Sequence, residues 1–170
     1  MRTINWQYFP KSQEIPEHLM QAISVFENNA ISIDSKNHKL SSNEVLEIIR
    51  LDLENIGFIV ERSKKQVDKI KVPVLFGKNG ALEKYFDADG FNEKTKTVIE
   101  VEAGRGVTNY QFLKDLFQAC MMHNVENLII GIRNIYANRK DFEIVITFFD
   151  TLFVSNRLHL PLKGILIIGY

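Results

Sequence analysis

The sequence predicts an α/β fold in which a mixed β-sheet carries helices on both faces. Three observations predict it. Residues 85–91 and 97–104 alternate with period two and adjoin across a short polar connector, as two neighbouring strands do. The runs 127–132 and 164–170 are apolar throughout, the pattern of strands covered on both faces. Helical periodicities alternate with those runs, over 108–123 and 140–154.

Taken in order, residues 1–13 form an arm whose Trp6, Tyr8 and Phe9 are expected to pack on the domain surface. Ile15, Leu19, Ile23 and Phe26 recur at helical spacing, with Pro16 in the first turn, where proline is tolerated. Residues 31–42 are polar and turn-rich. A clearer helix starts at Ser42, the expected N-cap, with Glu44 in its first turn and Val45, Ile48, Ile49 and Leu53 on one face. Gly57 is its expected C-cap. Phe58, Ile59 and Val60 make a short strand, 71–77 a second, and Lys78-Asn79-Gly80 a turn. After the two alternating strands, Gly104-Arg105-Gly106 breaks the pattern, and Thr108 or Asn109 caps a helix to about His123. Its buried stripe is expected to be Phe112, Leu113, Leu116, Phe117, Cys120 and Met121. The order is then α-α-β-β-β-β-α-β-α-β.

The 170 residues read as one domain, 1–170, with 1–41 as an N-terminal arm and helix. Lys plus Arg equals Asp plus Glu at 21 each, so the whole-molecule field draws in neither nucleic acid nor an anionic membrane. A local patch still can, and Arg62, Lys64, Lys65, Lys69, Lys71, Lys78 and Lys84 form the most basic region. The one cysteine, Cys120, reads as a buried free thiol. Met1 to Pro10 lacks the apolar run of a signal peptide, and no stretch approaches the ~20 apolar residues of a membrane span. A soluble, cytoplasmic protein is expected.

Chemistry concentrates in the alternating strands. With Phe91 opposite Val98, Asp89 falls opposite Glu100 and Asp87 opposite Glu102, all on one face. A slip of one residue would set the acids against Ile99 and Val101. Four carboxylates so placed repel one another unless something neutralises them. Hard oxygen donors suit Mg2+ or Mn2+. Zinc is excluded in this reading by dispersed histidines (18, 38, 123 and 159) and the absence of a cysteine pair. No phosphate-binding glycine loop is present, since Gly104-Arg105-Gly106 is too short.

Asp89, a turn, and then Val98-Ile99-Glu100-Val101-Glu102, after a helix-first and strand-rich start, resemble the PD-(D/E)xK nuclease superfamily. The resemblance covers about 42–132. It implies a restriction endonuclease-like core of order αβββαβ, extended here by a helix and a strand. It implies that Asp89 and Glu100 hold the metal and that Glu102 stands where a lysine usually orients or activates the attacking water. A Glu-x-Glu variant occurs among restriction endonucleases of that superfamily. Asp87, or Glu44 or Glu54 on the preceding helix, are further possible ligands, and Lys114 a substitute cation. Arg105, Gln111 and the basic residues Lys64, Lys65, Lys69 and Lys71 are candidates for contacts to substrate phosphates.

The expected activity is metal-dependent hydrolysis of DNA, by a restriction-type or repair-type endonuclease that cuts both strands as a homodimer. The alternatives are a catalytically inactive nuclease fold used for nucleic-acid binding or protein assembly, and an acidic cluster neutralised by Lys and Arg alone.

Overall fold

A computed structural model describes residues 3–63 and 65–170. Strand β1 (Asn5–Phe9) leads into helix α1 (Glu17–Asn28), a single turn α2 (Ala30–Ile33) and helix α3 (Ser42–Asn55). Strands β2 (Ile59–Val60), β3 (Ile70–Phe76), β4 (Leu82–Ala88), β5 (Gly90–Asn92) and β6 (Thr97–Glu102) follow. Helix α4 (Gln111–Met121), strand β7 (Asn127–Ile132), helix α5 (Asp141–Ser155) and strand β8 (Gly164–Gly169) complete the chain.

Six strands form one mixed sheet in the order β1-β8-β7-β6-β5-β2, and β3 and β4 form a separate two-stranded sheet. The central β6, β7 and β8 run parallel, while β1 and β5 flank them antiparallel. Every residue of β7 and β8 is buried, which is why both read as unbroken apolar runs. Alternate residues of these strands feed two separate cores. Ile99, Val101, Ile129, Leu166 and Ile168 meet Leu19, Ile23 and Phe26 of α1 and Val45, Ile49 and Leu53 of α3. Val98, Leu128, Ile130, Ile165 and Ile167 meet Phe112 and Leu116 of α4 and Val145 and Phe149 of α5. Among the described residues no helix is long and apolar enough to cross a membrane.

Four expectations are corrected. The N-terminal arm is a sheet strand: β1 pairs with β8 along its whole length, and Tyr8 and Phe9 are core residues. An edge strand of five residues is too short to declare itself by periodicity. The cap of α3 is Ser41, not Ser42, because Ser41 Oγ accepts from Glu44 N while Glu44 returns a carboxylate oxygen to Ser41 N at 2.7 Å. Gly57, at φ +97°, lies one residue past the C-cap Ile56, where its N–H and that of Phe58 close on the Glu54 and Leu53 carbonyls. Helix α4 starts at Gln111 after a left-handed Tyr110, without a side-chain cap from Thr108 or Asn109. It is also rotated from the expected stripe: Phe117 and Met121 are half exposed, Cys120 is only half-buried, and Asp115 and Ala119 take the buried face.

The fourth correction concerns the alternating strands. Phe91 does face Val98, with Gly90 opposite Ile99. The chain 82–92 is nevertheless two strands, because it leaves β6 at Asp89 to pair with β3. Asp87 therefore lies opposite Lys71, not Glu102.

The capping box makes a direct test. Ser41→Ala removes two helix-end contacts and is expected to lower unfolding free energy by about 1 kcal/mol in urea titrations. Ser42→Ala is expected to change it by less than about 0.5 kcal/mol.

Candidate acidic site

The site is built where β5 stops and β6 continues. Glu61, just past β2, donates its N–H to the Asp89 carbonyl at 2.7 Å. The Asp89 carboxylate then accepts the Val101 N–H, also at 2.7 Å. That N–H would go to a backbone carbonyl if the β5–β6 ladder ran on. The side chain of Asp89 thus replaces the ladder and is held against β6 beside Glu100. On the same face Glu100 is buried, Glu102 is half-buried, and Asp115 of α4 is 3% exposed.

Two features fix the end of β6. Tyr170 Oη donates to the Glu102 carbonyl at 3.0 Å. Gly106 lets the following loop approach, since a Cβ there would lie 3.0 Å from Cβ of Glu102.

These acids raise one another. Burial, with the charges of Asp89 and Asp115, pushes the Glu100 carboxyl well above the usual carboxylate range. Burial lifts Asp89 to about 6; the Val101 N–H and Lys69 oppose this, and Glu61 and Glu102 add to it. Burial and the Glu102 charge lift Asp115 to about 8. Glu102 is raised by burial, while its hydrogen bond with Asp115 and the charge of Lys114 hold it lower. The sharing is asymmetric: a proton between the two carboxyls belongs to Asp115. Without that proton, Asp115 Oδ2 is buried with no donor, and Asp87 Oδ1 is in the same position.

Two lysines border the acids. Lys114 is exposed, 4.0 Å from Asp115 Oδ1, and its charge reaches Glu100 and Glu102. Lys69 is mostly buried and binds Glu61 at 2.8 Å. Burial works to lower the pKa of its ammonium, but the Glu61 bond and the charges of Glu61, Asp87 and Asp89 outweigh it and raise it. Neither cation reaches all four acids.

Of the residues singled out from sequence, Asp89, Glu100 and Glu102 come together, with Lys114 alongside. Glu44 and Glu54 do not join them. Glu44 is exposed and tied into the α3 cap, and Glu54 faces Arg62 at 3.4 Å. Arg105 is exposed and, among the described residues, forms no ion pair with the local acids. The expected basic contacts disperse: Lys69 is committed to Glu61, Lys71 lies over the Tyr85 ring at 4.8 Å, and Lys65 is exposed. Lys64 lies outside the described residues.

Asp115 and Glu61 were not singled out, and Lys69 was expected at substrate phosphates rather than against an acid. Asp115 carried a signal, since it is in helical phase with Phe112, Leu116 and Ala119 and so falls on an apolar face. Glu61 carried none, because only the fold brings it to Lys69 at the other end of that loop.

The donor set suits a hard divalent cation: oxygen acids alone, crowded, with buried oxygens that lack a partner. Among the described residues no three His, Cys, Asp or Glu side chains converge so as to enclose an ion. An ion here would keep water in most of its positions, as Mg2+ commonly does. No family model matches the chain, and no curated protein or solved structure is significantly similar to it.

The raised carboxyls set a pH dependence. Asp115 has a folded value of about 8 against an ordinary 3.8, so between those limits the folded protein holds a proton that the unfolded chain has released. Stability is therefore expected to fall as pH rises from about 4 to about 8 in metal-free buffer. Asp115→Asn is expected to flatten the upper part of that decline and to raise the thermal midpoint near pH 8. An equally steep decline in the variant would show that Asp115 is ordinary in the folded state.

Proposed function

We propose that this protein is a metal-dependent endonuclease that hydrolyses DNA phosphodiester bonds, with a restriction endonuclease-like core. One observation carries the reading: Asp89, Glu100 and Glu102 gather on one face at the point where β5 leaves β6, and among the described residues no cation neutralises them all. The order of elements supports it. Helix α3, strands β2, β5 and β6, helix α4 and strand β7 follow as αβββαβ, with the β3–β4 hairpin inserted.

In this reading Asp89 and Glu100 hold Mg2+ or Mn2+. Bound there, the ion polarises a phosphoryl oxygen and lowers the pKa of a water. The Val101 N–H keeps the Asp89 carboxylate pointed at β6, so the donor is oriented before substrate arrives. Glu102, half-buried and carrying the lower share of the proton it divides with Asp115, orients the attacking water and takes its proton. Lys114, exposed beside the acids, and Arg105, exposed three residues past the end of β6, supply positive charge to the phosphates. Cutting both strands at one site requires a second active site, which a homodimer provides.

The test is cleavage of supercoiled plasmid DNA with Mg2+ or Mn2+. Wild type is expected to nick or linearise it, and Asp89→Ala and Glu100→Ala to lose activity by about a hundredfold or more, since even outer-shell partners of a metal commonly matter 10–100-fold. Circular dichroism checks that both variants fold. Cleavage that persists in both would sink the assigned site. No cleavage by wild type, with thermal stabilisation by Mn2+, would favour a nuclease fold used for binding or assembly.

A further inference from the structure

Helix α4 has an outer face that its packing leaves unexplained. Phe112, Leu116 and Ala119 point into the core, so the opposite side of the helix is expected to be polar. It carries Lys114, Phe117 and Met121 at spacings of three and four, and the two apolar residues are 53% and 50% exposed. Tyr110, one residue before the helix, is 65% exposed. The stripe runs on into the β3–β4 hairpin. His123, two residues past α4, donates its N–H to the Pro73 carbonyl at 2.7 Å and sets its ring edge-on to Phe76 at 5.2 Å. Phe76 lies opposite Leu82 at the end of the hairpin, and both are half exposed.

Exposed apolar residues scattered singly are ordinary, but a connected set marks an interaction surface. Its charge says what it fits. Lys84 holds its ammonium 5.4 Å from the centre of the Phe86 ring, and Lys78 is exposed in the turn. Across residues 75–84 these two lysines stand against one acid, Glu83, and Lys114 adds a third cation from α4. Rings with lysines between them suit a chain that alternates flat apolar faces with negative charges, as a single strand of nucleic acid does. A duplex keeps its base faces inside the stack and cannot use the rings. A second copy of this chain would set the lysine-bearing patch against itself, because a two-fold interface uses the same surface on both subunits.

Building on the reading of the acidic site as one that cuts DNA, we propose that the outer stripe of α4 and the end of the β3–β4 hairpin bind a single-stranded segment of that DNA. Bases stack on Tyr110, Phe117 and Phe76, while Lys84 and Lys114 meet the phosphates. Lys114 Nζ is also 4.0 Å from Asp115 Oδ1, so a strand held here runs to the acids. The substrate is then DNA with an unpaired strand beside the bond to be cut.

The experiment measures binding alone, in EDTA, by fluorescence anisotropy of a labelled oligo-dT strand and of a duplex of equal length. Wild type is expected to bind the single strand about tenfold more tightly. Phe117→Ala and Phe76→Ala are each expected to weaken that binding about tenfold, with its salt dependence unchanged. Lys84→Ala and Lys114→Ala are each expected to reduce the slope of log K against log salt by about 0.7. All four positions are exposed, and circular dichroism checks that the variants fold. Equal or tighter binding of the duplex by wild type would overturn the proposal. Full single-strand affinity in both phenylalanine variants would do the same. A wild-type dimer in sedimentation that Phe117→Ala dissociates, with no preference for the single strand, would overturn it in favour of a second copy. Plasmid cleavage reports separately on the acids: cleavage that persists in Asp89→Ala and Glu100→Ala removes the assigned site and leaves the strand-binding surface standing.

Discussion

The hydrogen bond from Val101 N–H to the Asp89 carboxylate is the constraint on which the rest of the acidic site depends. A strand that pairs with β6 from Asn92 to Gly90 would ordinarily carry on pairing. Asp89 ends that ladder by substituting its side chain for a backbone carbonyl, and the chain before it is free to form the β3–β4 sheet. Two consequences follow from the one bond. An acid is fixed against the central strand beside Glu100, and β4 is left to pair with β3 instead of β6. The Glu61 N–H on the Asp89 carbonyl secures the same residue from the other side.

Around this point the fold works against itself electrostatically. The two cores bury β6 on both faces, and α4 is packed onto it through Phe112 and Leu116, so Glu100 and Asp115 are held away from water. Lys69, Lys114 and the Val101 N–H relieve them only in part, and Asp89, Glu100, Glu102 and Asp115 are all shifted toward protonation. Natural proteins tolerate such local cost where the site is used.

The cation arrangement is equally uneven. Lys69 is drawn in and bound by Glu61, tying the two ends of the 61–69 loop together next to Asp89. Lys114 remains largely in solvent. Positive charge therefore borders the acids without meeting all of them.

Much of this was legible in the sequence. Period-two alternation placed Glu100 and Glu102 on one face of a strand and Ile99 and Val101 on the other, because side-chain direction in a strand is a local property of the backbone. The unbroken apolar runs of β7 and β8 announced strands covered on both sides, and the facing of Phe91 and Val98 followed from the turn length alone. What tertiary structure decided was everything that required two distant segments to meet. Whether 82–92 is one strand or two depends on β3 competing with β6 for it. The buried face of α4 depends on the sheet it packs against, and that contact turned Asp115 inward and Phe117 outward. The nearness of Lys69 to Asp89 depends on a loop closing. Local periodicity records which way a side chain points, but only the assembled layers determine what it points at.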